Sequence, residues 1–144
     1  MSKEKIDKFE GEFHFLSNFY PAYLLYEGVV WPTSEHAYQA MKTDDENQRL
    51  NMAMLDTPAE AKRYGRSVAM RRDWDTVKVD IMEEIVRCKF TQNENLKEML
   101  LATEDLELVE GNTWNDTFWG VCNGKGENNL GKVLMRIREE LKGL

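Results

Sequence analysis

The chain has 144 residues, 42% hydrophobic and 31% charged, with a formal net charge of −7. This composition excludes a disordered chain, and the negative charge opposes a broad footprint on duplex nucleic acid, where nonspecific affinity comes from neutralised phosphates. Two cysteines in unrelated contexts, an N-terminus without a signal-peptide apolar core and no apolar run of membrane-spanning length lead to the expectation of one domain over residues 1–144, in a reducing cytoplasm and away from membranes.

Aromatics alternate with polar residues in Phe9-Glu10-Gly11-Glu12-Phe13-His14-Phe15, a period that predicts a strand with one buried face. A second β region is expected from Tyr23 to Trp31, turning at Glu27-Gly28. Pro32 with Thr33 or Ser34 opens a helix through Lys42 and puts Glu35 in its first turn, where exposed amides and the helix dipole favour an ionised carboxylate. Thr57-Pro58-Ala59-Glu60 is a capping sequence with proline at the first helical position, and Gly65 ends that helix. Asp73 or Asp75 caps a longer helix that carries Val77, Ile81 and Ile85 on one face. A helix from Asn95 to Ala102 precedes strands at Leu106 to Glu110 and Phe118 to Cys122, separated by a polar turn over Asn112 to Asp116. The loop Gly124-Lys125-Gly126 then leads to a last helix striped by Leu130, Val133, Leu134, Ile137 and Leu141. Helices outnumber strands without regular alternation, which predicts an α+β fold, mainly helical with a small β-sheet.

Two stretches set a carboxylate among aromatic and turn-forming residues: Trp31-Pro32-Thr33-Ser34-Glu35-His36 and Trp114-Asn115-Asp116-Thr117-Phe118-Trp119-Gly120, with Arg72-Asp73-Trp74-Asp75 between them. Rings can hold a base or sugar and exclude water while a carboxylate faces positive charge developing on the sugar, the requirement of a glycoside-cleaving site. Each feature also has a structural explanation: Glu35 offsets the helix dipole, Asp116 belongs to turn chemistry, and Trp74 can anchor a core. Trp31, His36 and Tyr38 are expected to line a cleft with Glu35, whose helix face also carries Gln39 and Lys42 or Tyr38. Lys62, Arg63, Arg66, Arg71 and Arg72 can form a local pocket for a phosphorylated ligand, or a solvated face. The segment from Gly124 to Lys132 is similar to an anion-binding loop feeding a helix N-terminus, or is a plain glycine-rich turn. With two histidines and no metal-ligand spacing, neither a metal nor another cofactor is expected.

The ordered set Phe15-Leu16-Ser17-Asn18-Phe19, Trp31 to Lys42, Gly65-Arg66, Arg72-Asp73-Trp74-Asp75, Lys89-Phe90, Asn115 to Gly120 and Gly126 to Gly131 resembles the NADAR family of YbiA-like N-glycosidases, from about Phe9 to Arg138. The resemblance implies an α+β domain that hydrolyses an N-glycosidic bond to ribose. It implies a phosphorylated ribosylaminopyrimidine of early riboflavin biosynthesis as the small-molecule substrate, or ADP-ribose on guanine, including modified guanine in nucleic acid; a nucleotide-binding module without turnover is the alternative. Carried over by position, it assigns catalysis to Glu35, Trp74 and Asp116, and substrate binding to Asn18, Lys42, Arg66, Trp119 and Asn128. In this reading Glu35 stabilises charge or activates water, Asp116 orients water or protonates the leaving group, and Trp74 stacks on the heterocycle. Val121-Cys122-Asn123 after Trp119-Gly120 departs from the family pattern, which expects smaller or more polar residues there.

Overall fold

A computed structural model describes residues 5–143. In chain order the elements are β1 (Lys5–Ile6), a 3-10 helix (Gly11–Leu16), β2 (Leu24–Tyr26), β3 (Val29–Trp31), α1 (Ser34–Ala40), α2 (Glu46–Ala53), α3 (Pro58–Tyr64), α4 (Trp74–Gln92), α5 (Glu94–Leu101), β4 (Glu107–Leu108), β5 (Gly111–Asn112), β6 (Val121–Cys122) and α6 (Asn129–Lys142). They fall into two units, one of Asn18–Gln92 and one that joins the chain up to Ser17 to the chain from Asn93 onward.

In the Asn18–Gln92 unit, α1 packs against α2, α3, α4 and β3. Every residue of α1 is buried, so its apolar Ala37, Tyr38 and Ala40 hold it in place while its polar residues must find partners inside the protein. The β2–β3 hairpin turns through Glu27 (φ 53) and Gly28 (φ 75), the left-handed pair that a tight hairpin turn requires. Along α4 the buried residues are Trp74, Met82, Ile85, Val86, Lys89 and Phe90. Ile85 matches the expected stripe, whereas Val77 and Ile81 are only half-buried.

In the other unit, β1 pairs in parallel with β4, β5 pairs in parallel with β6, and α6 packs against β4 and α5. The α6 stripe is as expected: Leu130, Val133, Leu134, Ile137 and Leu141 are all buried. Burying such a set is the main local source of stability, at about 1.5–3 kcal/mol for each large aliphatic side chain.

The structure corrects four expectations. Phe9 to Phe15 does not form a strand: Gly11, at φ 60, breaks the extended backbone and the 3-10 helix follows, burying Phe15 and Leu16 together. The strands expected at Leu106 to Glu110 and Phe118 to Cys122 shrink to Glu107–Leu108 and Val121–Cys122. α2, absent from the sequence reading, buries Met52 alone, and its start is fixed by Asp45, which accepts from the Gln48 amide at 2.9 Å. Asp73 precedes α4 but spends its carboxylate on Arg71, 2.6 Å away.

Candidate active site

Glu35 sits one residue into α1. Thr33 caps the helix by accepting from the His36 amide at 3.1 Å, and the Glu35 amide donates to the Asn18 carbonyl at 3.1 Å. Ser34 donates to Asn18 Oδ1 at 2.8 Å, so the Asn18 segment clamps the first turn through both backbone and side chain. The Glu35 side chain is 8% exposed, and its Oε2 accepts from Gln39 Nε2 at 2.7 Å, one helical turn later. A charge-assisted bond of this kind is worth more than a neutral one because the ion has lost most of its water. Gln39 pays for it with a buried Oε1 that has no hydrogen-bond partner among the described residues, an omission that costs about 1–3 kcal/mol.

Lys42 lies in the turn just past the end of α1. Burial pushes its pKa down, and the negative field of Glu35 partly offsets this, while Arg66, Lys78 and Lys62 push it further down. That pattern places Glu35, Arg66, Lys78 and Lys62 within electrostatic reach of Lys42. Arg66 itself is exposed. Of the basic residues expected to gather, Lys62 and Arg66 are in this cluster; Arg71 is instead paired with Asp73. Lys78 was not expected, because its membership depends on α4 packing against α1.

The aromatic cleft expected from Trp31, His36 and Tyr38 is not formed. Trp31 is fully buried and donates from Nε1 to the Tyr26 carbonyl at 2.9 Å. His36 is also fully buried: Nε2 donates to the Leu55 carbonyl at 3.0 Å, which leaves Nδ1 to accept from Thr33 Oγ1 at 2.8 Å. Burial pushes its pKa down, so the neutral ring bridges α1 to the end of α2. Tyr38 is 6% exposed and packs on Trp74, with ring centroids 5.1 Å apart. Trp74 is 4% exposed, too little for a base to stack on without displacing Tyr38. Asn18, assigned to substrate, has Oδ1 on Ser34 and Nδ2 at 3.4 Å from Met82 Sδ.

Sequence reasoning passed over Lys89, except as part of a motif. Its amine lies 5.7 Å from the Tyr20 ring centroid and 5.0 Å from that of Phe90, and burial lowers its pKa to about 7. Its only sequence signal is the position on the buried face of α4, next to Ile85 and Val86.

Asp116, Trp119 and Asn128 belong to the other unit. Asp116 Oδ1 accepts from the amides of Phe118, at 3.1 Å, and Trp119, at 2.9 Å, while Asn112 braces its backbone from both sides. Phe118 and Trp119 meet edge to face at 4.9 Å. Asn128 Nδ2 donates to the Leu108 carbonyl at 2.9 Å and its Oδ1 accepts from the Glu110 amide at 3.0 Å, so both ends of this amide hold the segment before β5. Four consecutive amides of the loop leading into α6 are engaged within the protein. Glu127, Asn128, Asn129 and Leu130 donate their backbone N–H groups to the carbonyls of Thr117, Gly120, Phe118 and Trp119. Among the described residues no cluster of His, Cys, Asp or Glu could hold a metal ion, and no helix is long and apolar enough to cross a membrane.

The NADAR domain family matches residues 6–142. N-glycosidase YbiA of Shigella flexneri is 44% identical over 128 residues, covering 87% of this chain and 79% of that protein. A riboflavin biosynthesis protein of Vibrio vulnificus is 44% identical over 131 residues; the match covers 89% of this chain but only 35% of the longer protein. The NMR structure of Escherichia coli YbiA superposes with a TM-score of 0.87 at 38% identity, covering 99% of this chain and 88% of that one, and is of the same α+β class. A family match that runs almost end to end, agreeing in both sequence and fold, leaves one conclusion: the chain belongs to the NADAR family and groups with its N-glycosidases, hydrolases of the N-glycosyl bond.

Proposed function

We propose that this chain hydrolyses the bond between ribose and nitrogen in a ribosylaminopyrimidine 5′-phosphate of riboflavin biosynthesis, releasing the aminopyrimidine and ribose 5-phosphate. The observation that carries the proposal is the buried Glu35 carboxylate beside Lys42, around which Lys62, Arg66 and Lys78 gather. Cleaving the C–N bond builds positive charge on the ribose, and a fixed carboxylate with little water around it stabilises that charge or takes a proton from the attacking water. Water adds to the anomeric carbon, the bonding pair leaves with nitrogen, and the water proton ends on the departing amine. The cations supply what the carboxylate cannot, a grip on phosphate. Arg66 is the exposed member best able to meet it, since a guanidinium binds phosphate with two parallel hydrogen bonds. The name of the Vibrio vulnificus relative supports the riboflavin assignment. Asp116 keeps Oδ2 outside the hydrogen bonds that build its loop.

The test is release of reducing sugar from three substrates: the ribosylaminopyrimidine 5′-phosphate, its dephosphorylated nucleoside and an ADP-ribosylated guanosine. The proposal expects kcat/KM for the first to exceed the second by at least about a hundredfold, because binding energy from the remote phosphate holds the reacting carbon in place. Equal rates with and without the phosphate overturn the phosphate grip. Faster turnover of the ADP-ribosyl conjugate moves the assignment to that substrate, and binding without turnover of any of them removes the enzymatic reading.

A further inference from the structure

Gly65 ends α3 with φ −59 and ψ −19, ordinary right-handed values that any residue adopts. The need for glycine is therefore not in the backbone. It lies in the space above it: a Cβ built on Gly65 would overlap Oε1 of Gln39. Gln39 is 4% exposed, and its amide is pressed into this notch with Oε1 unpartnered and Nε2 directed at Glu35 Oε2, 2.7 Å away. Folding alone gives no reason to bury a glutamine in this way, since an apolar residue of similar shape fills the volume without orphaning an acceptor. We propose that Gln39, seated by the Gly65 notch, is the positioning residue of the active site: it fixes the rotamer of Glu35 and holds the carboxylate in its ionised form. The proposal rests on the reading of Glu35 as the group that acts on the sugar.

The bond has a direction that fixes its chemical effect. A side-chain amide N–H donates more strongly to an ionised carboxylate oxygen than to the carbonyl oxygen of the acid, so it favours the carboxylate over the carboxylic acid. Among the charged groups nearby are Lys42, just past the end of α1, and around it Lys62 and Arg66 from the end of α3 and Lys78 from α4. All of them stay in place when only position 39 or 65 is changed, so a comparison with the native protein isolates the contribution of Gln39.

The experiment compares native protein with Q39L, G65A and E35Q in the full chain, following kcat, KM and the pH profile of kcat/KM on the best substrate, with thermal melting as the check on folding. Q39L keeps the shape and removes the donor; G65A removes no hydrogen-bonding group and displaces Gln39 from the far side. The proposal expects both to lower kcat by about tenfold or more with KM within about twofold, and to move the acid limb of the profile upward by about one pH unit. A purely structural role lowers the melting temperature and leaves that limb where it was. Folded Q39L with a native limb and native kcat overturns the proposal; should Q39L fail to fold, G65A decides by the same criterion. E35Q separates the two failures, since native turnover in E35Q rejects the role of Glu35 itself, whereas an inactive E35Q beside a native-like Q39L rejects only the positioning by Gln39.

Discussion

Glu35 and Asp116 are the two carboxylates that the chain sets among aromatic rings, and the protein treats them in opposite ways. Glu35 lies inside a wholly buried helix, bonded to the Gln39 side-chain amide, with Lys42 nearby. Asp116 is half-buried in a loop, and one of its oxygens is held by two backbone amides of that same loop. A carboxylate held by a side chain can be retuned by changing that side chain. One held by its own backbone shapes the loop first, and any chemistry is left to its second oxygen. Similar sequence surroundings thus conceal a tuned group and a loop-building one.

The comparison breaks most visibly at the wall behind α1. Trp74→Ala removes the ring packed on Tyr38 and should cost about 3–5 kcal/mol of stability, while Trp74→Phe should cost clearly less. Denaturant unfolding measures both; an alanine variant of native stability but impaired substrate binding would favour the stacking role for this tryptophan instead. Next is the charge itself. Glu35→Gln keeps the shape and should lower kcat by at least about a hundredfold, or roughly 2.7 kcal/mol, in a protein that melts near the native temperature. Full turnover in a folded variant would move the chemistry elsewhere.

The buried side of the comparison also predicts a pH dependence. Lys89 ordinarily titrates at 10.5 but at about 7 in the folded chain, so its neutral amine supports the fold above 10.5 and that support is lost as pH falls toward 7. Each unit of that interval is worth about 1.4 kcal/mol. Lys89→Met should therefore gain stability over native protein as pH drops from 10 to 7 and gain no more below; parallel stability curves would mean that the amine is satisfied in place. The smallest effect is expected at Asp116. Asp116→Asn retains an oxygen for the Phe118 and Trp119 amides and should melt close to native, whereas Asp116→Ala loses about 1 kcal/mol. If asparagine lowers turnover while preserving stability, the second oxygen has a chemical role; if it lowers neither, Asp116 is a loop builder alone.

Glu35 was legible because helix starts leave local marks: Thr33 at the cap and an acid in the first turn are read from adjacent residues. The rings around it misled for a physical reason. Trp31, His36 and Tyr38 carry polar handles, and a buried aromatic with a satisfied handle has the same sequence appearance as one lining a cleft. The loop into α6 left two readings open, since its glycines and asparagines suit an anion site or a plain turn. Four of its amides go to carbonyls of residues 117–120, and no local pattern announces such pairing. Gln39 lay within reach, one turn from Glu35, but its seat depends on Gly65, which comes from another helix end.

The division of the chain has a consequence for how it is made. Residues 18–92 are contiguous, so that unit is complete once its own sequence has left the ribosome, whereas the first strand must wait: Lys5 and Ile6 pair with Glu107 and Leu108. Long-range pairing of this kind is slow, because a large loop must close before any contact rewards it. The segment carrying Glu35, Gln39 and Lys42 therefore ought to gain protection while the opening strand is still unpaired. Pulse-labelled hydrogen exchange during refolding reads this directly, with early protection at the amides of α1 and α4 and late protection at Val109, whose amide donates to the Ile6 carbonyl at 2.8 Å. Simultaneous protection would show that the two stretches fold only together. Otherwise, the Glu35 carboxylate is seated early in biogenesis, and β1 joins β4 last.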